Sequence, residues 1–196
     1  MNRWAVLQQE VAAEAPRMVL GRQVHGTRVV QHAAAGSAGW LRTGEADGHV
    51  AAERGIALTV SVADCVPVFI AHSSGAVALL HSGWQGTAGR ILDSGIAALA
   101  SLGKPAAELR VHLGPAICGR CYEVSAEVRA QLTGMPANRP GHVDLRALLA
   151  EQARAAGVED LSVSEFCTKC DNDIFFSHRA GDTGRQVAVI VAAPLQ

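Results

Sequence analysis

The chain has 196 residues, 49% of them hydrophobic, which is enough for one well-covered core but short for two full domains. Its 17 basic and 18 acidic residues leave a formal net charge of −1. This balance argues against the basic surface that binding to nucleic acid or to an anionic membrane requires. We therefore expect one domain over residues 1–196, with a small molecule as its partner.

The sequence also predicts a cytoplasmic protein. Its first residues lack a sustained apolar run followed by a small-residue cleavage site, so no signal peptide is expected. The most apolar run, residues 56–62, is far shorter than the roughly 20 residues that span a bilayer. Five cysteines, an odd number without secretory context, favour metal binding, catalysis or burial in a reducing compartment over a disulfide framework.

Three β-rich runs, at residues 56–62, 66–71 and 76–80, lie close together in the first half of the chain. The break between the first two runs contains Asp64 and Cys65, so these side chains are expected where strands end. A proline at the second position of the second run cannot donate a ladder hydrogen bond. We therefore expect that run to begin at a bulge or at a sheet edge.

His81 ends the third run and leads into a glycine-rich stretch at residues 83–89, followed by a helical pattern from Ile91. A strand, a glycine loop and a helix in this order can present backbone N–H groups to a phosphate. The stretch lacks the lysine of a Walker loop, and glycines also serve simple tight turns. Anion binding and a tight turn both remain open.

The second half of the chain mixes strand and helix patterns. Residues 109–113 form a strand pattern, and a helix is predicted to begin at an N-cap, Asp144, and to stop at Gly157. Residues 186–192 predict a last buried strand. Strict alternation of strands and helices is absent, so we predict the α+β class with layered elements.

One set of candidate metal ligands consists of His25, Cys65 and His81. Zinc accepts imidazole and thiolate ligands, and catalytic sites use three protein ligands so that the fourth position stays open. All three residues are expected at the ends of elements, where functional side chains concentrate. Their spacing matches no local metal motif, so burial of unrelated side chains is the alternative interpretation.

A rival set is the two C-x-x-C pairs, Cys118 with Cys121 and Cys167 with Cys170. This is the local spacing of a structural zinc knuckle. The intervening segment exceeds that of a compact zinc ribbon and carries a helical pattern, which argues against the knuckle. Inert buried thiols are the third interpretation.

Three polar residues are weaker candidates. Asp64, beside Cys65, is placed either to take a proton from a bound water or to cap the break between strands. His178 and Arg179 either approach a substrate or are ordinary exposed residues that lead into a strand.

Several motifs follow one another along the chain: QVHG (23–26), ADG (46–48), VADCVPV (62–68), HSGWQG (81–86), GPAI (114–117) with CYEV (121–124), and CTKCDNDIFFSHRAGDTGR (167–185). In order and spacing they resemble the YfiH family of laccase-domain proteins. The family was long labelled polyphenol oxidase or laccase, and its members are now regarded as purine nucleoside phosphorylases that also deaminate adenosine. The resemblance implies a layered α/β sandwich with mixed β-sheets, which is the YfiH-like fold.

The resemblance also implies a site and an activity. It implies zinc, with copper as the alternative metal, on His25, Cys65 and His81, and it leaves Cys118 and Cys170 outside the functional zinc site. The activity implied is phosphorolysis of inosine, adenosine and methylthioadenosine, together with hydrolytic deamination of adenosine. We assign catalysis and substrate contacts to a wider set: Asp64 and Cys65 as catalytic, and Gly83, Gln85, Gly86, His178 and Arg179 as contacts to nucleoside and phosphate.

Three other functions stay open at this point. They are copper-dependent oxidation of phenols, hydrolytic editing of a peptidoglycan precursor at the same metal, and a zinc-stabilised binding module without catalysis. Two departures from the family also matter, because Gln85 and Ala180 stand where relatives usually carry arginine. Glutamine offers a hydrogen bond without a charge-assisted bidentate grip, so weaker phosphate-dependent cleavage is expected.

Overall fold

Two mixed β-sheets carry most of the chain, for which the computed structural model describes residues 3–33 and 37–192. The four-stranded sheet has the strand order β12 (Gln186–Ala192), β5 (Ile56–Val62), β1 (Arg17–Arg22) and β3 (Gly39–Glu45). The six-stranded sheet has the order β11 (Asp160–Val163), β8 (Leu109–Leu113), β6 (Val66–His72), β7 (Val77–Ser82), β4 (Gly48–Ala51) and β2 (Val29–His32). A two-residue pair, β9 (Glu123–Val124) with β10 (Gly141–His142), is separate.

Five α-helices accompany the sheets within the described ranges. They are α1 (Arg3–Val11), α2 (Trp84–Ala88), α3 (Ile91–Ala100), α4 (Ala126–Thr133) and α5 (Leu145–Ala155). Two 3₁₀ turns, Ala106–Glu108 and His178–Ala180, complete the elements. Within these ranges no helix has the length and apolar character needed to cross a membrane. The cytoplasmic location and the single-domain boundary stay predictions.

The core is divided among three interfaces. Between the two sheets, residues such as Leu58 of β5 and Leu79 of β7 are fully buried. The other face of the six-stranded sheet packs on α3 and α5 through residues such as Leu99 and Leu149. Met18 and its neighbours meet α1 on the outer face of the four-stranded sheet. The molecule is therefore a four-layer α/β/β/α sandwich, which confirms the predicted layered α+β fold with mixed sheets.

Most predicted elements are confirmed, including the three β-rich runs and the strand at Leu109–Leu113. The side chain of Asp144 caps α5 by accepting the N–H groups of Arg146 and Ala147. Gly157 ends that helical segment with φ of +88°. The last strand, β12, is an edge strand and only partly buried, so the expectation of a buried strand was wrong.

The expectation for Pro67 was also wrong. β6 lies inside the six-stranded sheet, between β8 and β7, and not at an edge or a bulge. The carbonyl of Pro67 accepts the N–H of Gly114, and the register with β8 begins one residue later, at Val68. β8 ends at Leu113, so the N–H that Pro67 lacks would lie opposite Gly114, beyond the last residue of that strand.

The glycine-rich stretch after His81 also differs from the expected loop. It folds as the short helix α2, which begins after Gly83. Gly86 is buried, and a Cβ at that position would lie 3.5 Å from the carbonyl oxygens of Gly26 and His81. The glycine allows the helix to pack closely on the backbone beside the end of β7.

The crossover between the two sheets sets the position of the site. β5 belongs to the four-stranded sheet and β6 to the six-stranded sheet, so residues 63–65 carry the chain from one layer to the other. Asp64 takes a φ of +81°, a left-handed conformation that costs energy for a residue with a side chain. The predicted break between strands is therefore a strained connection that faces the end of β7.

Candidate metal centre and active-site cleft

The structure brings His25, Cys65 and His81 together. They come from the loop after β1, from the crossover between the sheets and from the end of β7. Their candidate ligand atoms all lie within 4.8 Å of one another. The rings of His25 and His81 meet edge to face, with centroids 4.8 Å apart. Distant sequence positions thus form one cluster, which explains why their spacing matches no local motif.

A fully buried carboxylate, Asp47, organises two of these residues. It accepts the backbone N–H groups of Val24 (3.0 Å), His25 (2.9 Å) and Gly26 (2.8 Å), and it also accepts Nδ1 of His81 (2.8 Å). These bonds hold His25 at a φ of +62°. Because Nδ1 of His81 donates to Asp47, its Nε2 remains for a metal, an arrangement that fixes the ring and raises the basicity of the ligand.

The electrostatics of the cluster favour a thiolate. Burial by itself raises the pKa of Cys65, but hydrogen bonds and charge from His25 and His81 lower it to about 7. Burial lowers the pKa of His81, whereas the hydrogen bonds to Asp47 and Cys65 raise it to about 9. The sulfur is therefore prepared to carry the negative charge that a metal ligand needs.

The donor set fits zinc. Two imidazoles and one thiolate are ligands that zinc accepts, and three protein ligands leave one position open, as in catalytic sites. Space for the cluster depends on Gly83, since a Cβ there would lie 2.9 Å from Sγ of Cys65 and 3.1 Å from Cδ2 of His25. A larger residue at position 83 would push into the ligands.

The cluster lies in a cleft of about 560 Å³. Its walls are formed by Gln23, His25, Ser61, Ala63, Asp64, Cys65, His81, Trp84, Gln85, Tyr122, Leu145, His178, Arg179 and Arg185. Among these lining residues of the described chain, Asp64 is the one carboxylate, facing two guanidinium groups. The cleft thus combines a metal-ligand set with a cationic wall that suits an anionic substrate group.

Asp64 is tied into the fold by both of its oxygens. Oδ1 accepts the hydroxyl of Thr168 at 2.6 Å, and Oδ2 accepts the backbone N–H of Arg179 at 2.7 Å. The carboxylate therefore caps the break between strands, as one interpretation of the sequence predicted, while it also lines the cleft. Each oxygen keeps a further lone pair that can accept a proton.

Two arginines are held against the cleft by contacts that leave their charge intact. The guanidinium of Arg179 lies 5.2 Å from the ring centre of Tyr122, and its Nη1 donates to the carbonyl of Glu123 at 2.9 Å. Nη1 of Arg185 donates to the carbonyls of Gly184 (2.7 Å) and Asp182 (3.3 Å). Carbonyls and a ring do not neutralise a cation, so both guanidinium groups remain available to an anion.

The predicted substrate contacts fall into two groups. Gln85, His178 and Arg179 line the cleft, and all three are exposed. Gly83 and Gly86 are buried and lie outside the lining set, where close packing accounts for both. Contact of these two glycines with a substrate stays a prediction.

Several residues of the site had no role in the sequence-based prediction. Asp47 lies in the ADG motif, and Tyr122 and Arg185 lie within the last two motifs of the resemblance. The motifs contained them, but a buried acceptor or a stacked ring gives no local signal of its function. Trp84, which follows the glycine after β7, was likewise missed as a wall of the cleft.

We expect Asp47→Asn to weaken zinc binding at the triad by about 10–100-fold, the usual cost of losing a partner that orients a ligand. The amide has one acceptor oxygen in place of two and carries no charge, so it cannot satisfy the same donors. Competition with a metal-binding dye measures the affinity. Asp160→Asn, at an exposed ion pair with Arg110, is the matched control. Wild-type affinity in the Asp47 variant would contradict this role.

The chain is similar to several known proteins. A purine nucleoside phosphorylase of Streptomyces coelicolor is 35% identical over 192 residues, covering 90% of this chain and 76% of that protein. An adenosine deaminase from an unknown prokaryotic organism is 35% identical over 140 residues, covering 64% and 53%. The crystal structure of the hypothetical protein YfiH from Bacillus licheniformis has a TM-score of 0.86 at 25% identity, covering 98% and 80%.

A family model also matches nearly the whole chain, over residues 1–193. Its description is multi-copper polyphenol oxidoreductase laccase. Relatives of this chain are thus named as enzymes that process nucleosides, while the family description retains the older oxidase label. By the extent of this match, the chain belongs to the laccase-domain, or YfiH, family.

Proposed function

We propose that this protein is a zinc-dependent purine nucleoside enzyme that cleaves purine nucleosides with phosphate and deaminates adenosine by hydrolysis. The observation that carries the proposal is the cluster of His25, Cys65 and His81 in a cleft whose wall contains two guanidinium groups. The relatives named purine nucleoside phosphorylase and adenosine deaminase support the substrate class.

The proposed metal is zinc, held by His25, Cys65 and His81 with Asp47 behind two of them. When bound, zinc supplies a Lewis acid that polarises the reacting oxygen. Copper is the alternative metal, since two imidazoles and one thiolate also occur in blue-copper sites. All five cysteines of the chain are free thiols. Zinc suits these surroundings because it undergoes no redox change.

The walls of the cleft match the parts of a nucleoside. Trp84 and Tyr122 offer flat apolar surfaces on which a purine ring can stack. Arg179 and Arg185 offer guanidinium groups, which grip phosphate in a bidentate manner. Because Arg179 stacks on Tyr122, the aromatic and cationic groups are neighbours, and a nucleoside and phosphate bound to them would lie next to each other in the cleft.

In phosphorolysis, a phosphate oxygen forms a bond to C1′ of the ribose while the bond from C1′ to the base nitrogen breaks. The base leaves with that electron pair and takes up a proton, and the products are the free base and ribose 1-phosphate. The two arginines would orient phosphate and stabilise its charge during the attack. This step requires no carboxylate in contact with the phosphate. Asp64, whose Oδ2 accepts the backbone N–H of Arg179, is therefore assigned no part in it.

In deamination, the oxygen of a water molecule forms a bond to C6 of adenosine and ammonia leaves. A proton must move from the water to the leaving nitrogen. The carboxylate of Asp64 is the proposed carrier, since it lines the cleft beside Cys65 and its orientation is fixed by Thr168. Phosphate has no part in this reaction, so the two activities are separable by experiment.

Oxidation of phenols is the main rival, because it is the activity in the family description. Multicopper oxidation needs several coppers and many histidines. Within the described residues, groups of three or more metal-binding side chains number two, and one of them consists of cysteines alone. Editing of a peptidoglycan precursor and a non-catalytic zinc module stay predictions without a specific observation in their favour.

We expect the zinc-loaded protein to release hypoxanthine from inosine only when phosphate is present, and to release ammonia from adenosine without phosphate. His81→Ala should lose both activities and about one equivalent of zinc per chain, because it removes a ligand. Chromatographic product analysis and elemental analysis measure the two effects. His112→Ala, which removes an exposed histidine on β8, is the matched control.

Copper-dependent oxidation of a phenol, together with no turnover of either nucleoside by zinc-loaded protein, would overturn the proposed function. A circular dichroism spectrum of His81→Ala that matches the wild type establishes that loss of activity is not loss of the fold.

Gln85→Arg should increase phosphate-dependent cleavage of inosine by up to roughly tenfold and leave adenosine deamination unchanged. A hydrogen bond to a charged group contributes about 1.5–3 kcal/mol against about 0.5–1.5 kcal/mol for a neutral one, and about 1.4 kcal/mol corresponds to a factor of ten. Gln85 is exposed and lines the cleft, so an arginine can reach a phosphate there. Initial rates across a phosphate titration measure the effect.

Gln31→Arg, on the edge strand β2, adds the same charge to an exposed position outside the cleft lining and is the control for net charge. Equal gains in both Gln85→Arg reactions, or no gain in either, would remove anion binding from position 85.

A further inference from the structure

The four remaining cysteines form a second cluster of sulfur atoms. Candidate ligand atoms of Cys118, Cys121, Cys167 and Cys170 all lie within 4.8 Å of one another, and the sulfurs of Cys121 and Cys170 are 3.5 Å apart. Four Zn–S bonds of about 2.3 Å in a tetrahedron separate the sulfurs by about 3.8 Å. The cluster therefore already has nearly the dimensions of a four-thiolate zinc site.

Both C-x-x-C segments are tight turns whose N–H groups point at sulfur. The N–H of Cys121 donates to the carbonyl of Cys118 at 2.9 Å, which closes the first turn. Sγ of Cys167 accepts the N–H of Cys118 at 3.2 Å and the N–H of Cys170 at 3.4 Å. Hydrogen bonds of this kind orient a metal ligand, so the two turns hold the sulfur of Cys167 in place.

The surroundings also suit a negatively charged metal cluster. Each turn contains one exposed cation, Arg120 in the first and Lys169 in the second. Four thiolates around a divalent ion carry excess negative charge, which these cations offset in part, while the carboxylate of Asp171, which accepts the N–H of Cys167 at 2.8 Å, adds to it. Within the first turn Gly119 packs closely on the N-cap of α5, since a Cβ there would lie 2.9 Å from Cβ of Asp144. The first C-x-x-C turn is thus packed against the N-terminus of α5.

We propose that these four cysteines bind a second zinc ion in a closed, structural site, separate from the His25/Cys65/His81 cluster. Three protein ligands leave an open position for chemistry, whereas four thiolates fill the tetrahedral shell and leave none. The long segment between the two cysteine pairs is no obstacle, because a parallel bridge between Ala116 and Cys167 brings the two loops together. This site does not depend on the proposed nucleoside activity.

The second zinc joins two loops that support the cleft. Cys121 precedes Tyr122, on which the guanidinium of Arg179 stacks. Cys167 precedes Thr168, whose hydroxyl holds the carboxylate of Asp64. A metal that bridges the two turns therefore fixes the aromatic wall and the carboxylate at the same time, through neighbours in the chain and without contacting substrate.

The test uses variants in which only the four-cysteine cluster can hold a metal. Cys65→Ser and His25→Ala each remove a ligand from the other cluster and leave these four cysteines intact. Protein purified under reducing conditions should then retain one zinc per chain by elemental analysis, against two in the wild type. X-ray absorption at the zinc edge of the Cys65→Ser protein should show a shell of four sulfurs near the ~2.3 Å of a Zn–S bond, with no nitrogen or oxygen ligand.

The reciprocal variant carries Cys121→Ser and Cys170→Ser. It should retain one zinc, whose absorption spectrum shows nitrogen and sulfur ligands from the other cluster. Absence of zinc from both Cys65→Ser and His25→Ala, or nitrogen or oxygen ligands in the Cys65→Ser spectrum, would overturn the proposal. A Cys121–Cys170 disulfide found by mass spectrometry in wild-type protein purified under reducing conditions would overturn it as well. If the double variant does not fold, the measurements on Cys65→Ser decide the question alone.

Discussion

The candidate site depends on the burial of one carboxylate. A charge without solvent contact is very costly unless donors surround it, and Asp47 is fully buried. Its oxygens accept three backbone N–H groups from the loop after β1 and one ring nitrogen from β7, and its own carbonyl accepts the N–H of His81. The need to satisfy this one carboxylate therefore fixes the positions of two candidate ligands on separate elements.

Asp64, on the other side of the cluster, is likewise held in place by hydrogen bonds from distant parts of the chain. Its left-handed conformation is strained, and strain of this kind persists only where surrounding contacts determine it. Those contacts are the hydroxyl of Thr168 and the N–H of Arg179, which come from more than 100 positions later in the chain. The loop that carries Cys65 is consequently held by the C-terminal segment, so the site is complete only when the distant parts of the chain have packed.

The sequence predicted five of the strands and two of the helices, α3 and α5, because their signals are local. Runs of β-branched residues, the N-cap at Asp144 and the stop at Gly157 depend on a few neighbouring positions. The position of Pro67 depends instead on where β8 ends, which its own neighbours cannot reveal. Likewise, the partners of Asp47 lie on two separate elements. Residue type suggested grouping His25 with Cys65 and His81, spacing gave that grouping no support, and the resemblance of whole motifs strengthened it before the structure brought the three together.

Local spacing was informative for only one of the two candidate metal-binding sets. Two C-x-x-C pairs are a strong local signal, and the structure assembles them although two α-helices lie between the pairs. The cluster of His25, Cys65 and His81 has no local signal, yet it is the one that lies in the cleft. The cluster that lines the cleft has three metal-ligand side chains and suits catalysis. The cluster outside the cleft lining has four and suits a structural role.

Glutamine at position 85 and alanine at position 180 leave the cleft its positive charge. A carbonyl or an aromatic ring orients a guanidinium without cancelling its charge, and these are the partners of Arg179 and Arg185. An aspartate within ion-pair distance would instead compete with phosphate for the same groups. Among the residues that line the cleft, the two guanidinium groups outnumber the one carboxylate, Asp64, so the wall keeps a net attraction for an anion. The positive charge of the cleft is therefore concentrated on the wall formed by Arg179 and Arg185, in the segment before β12.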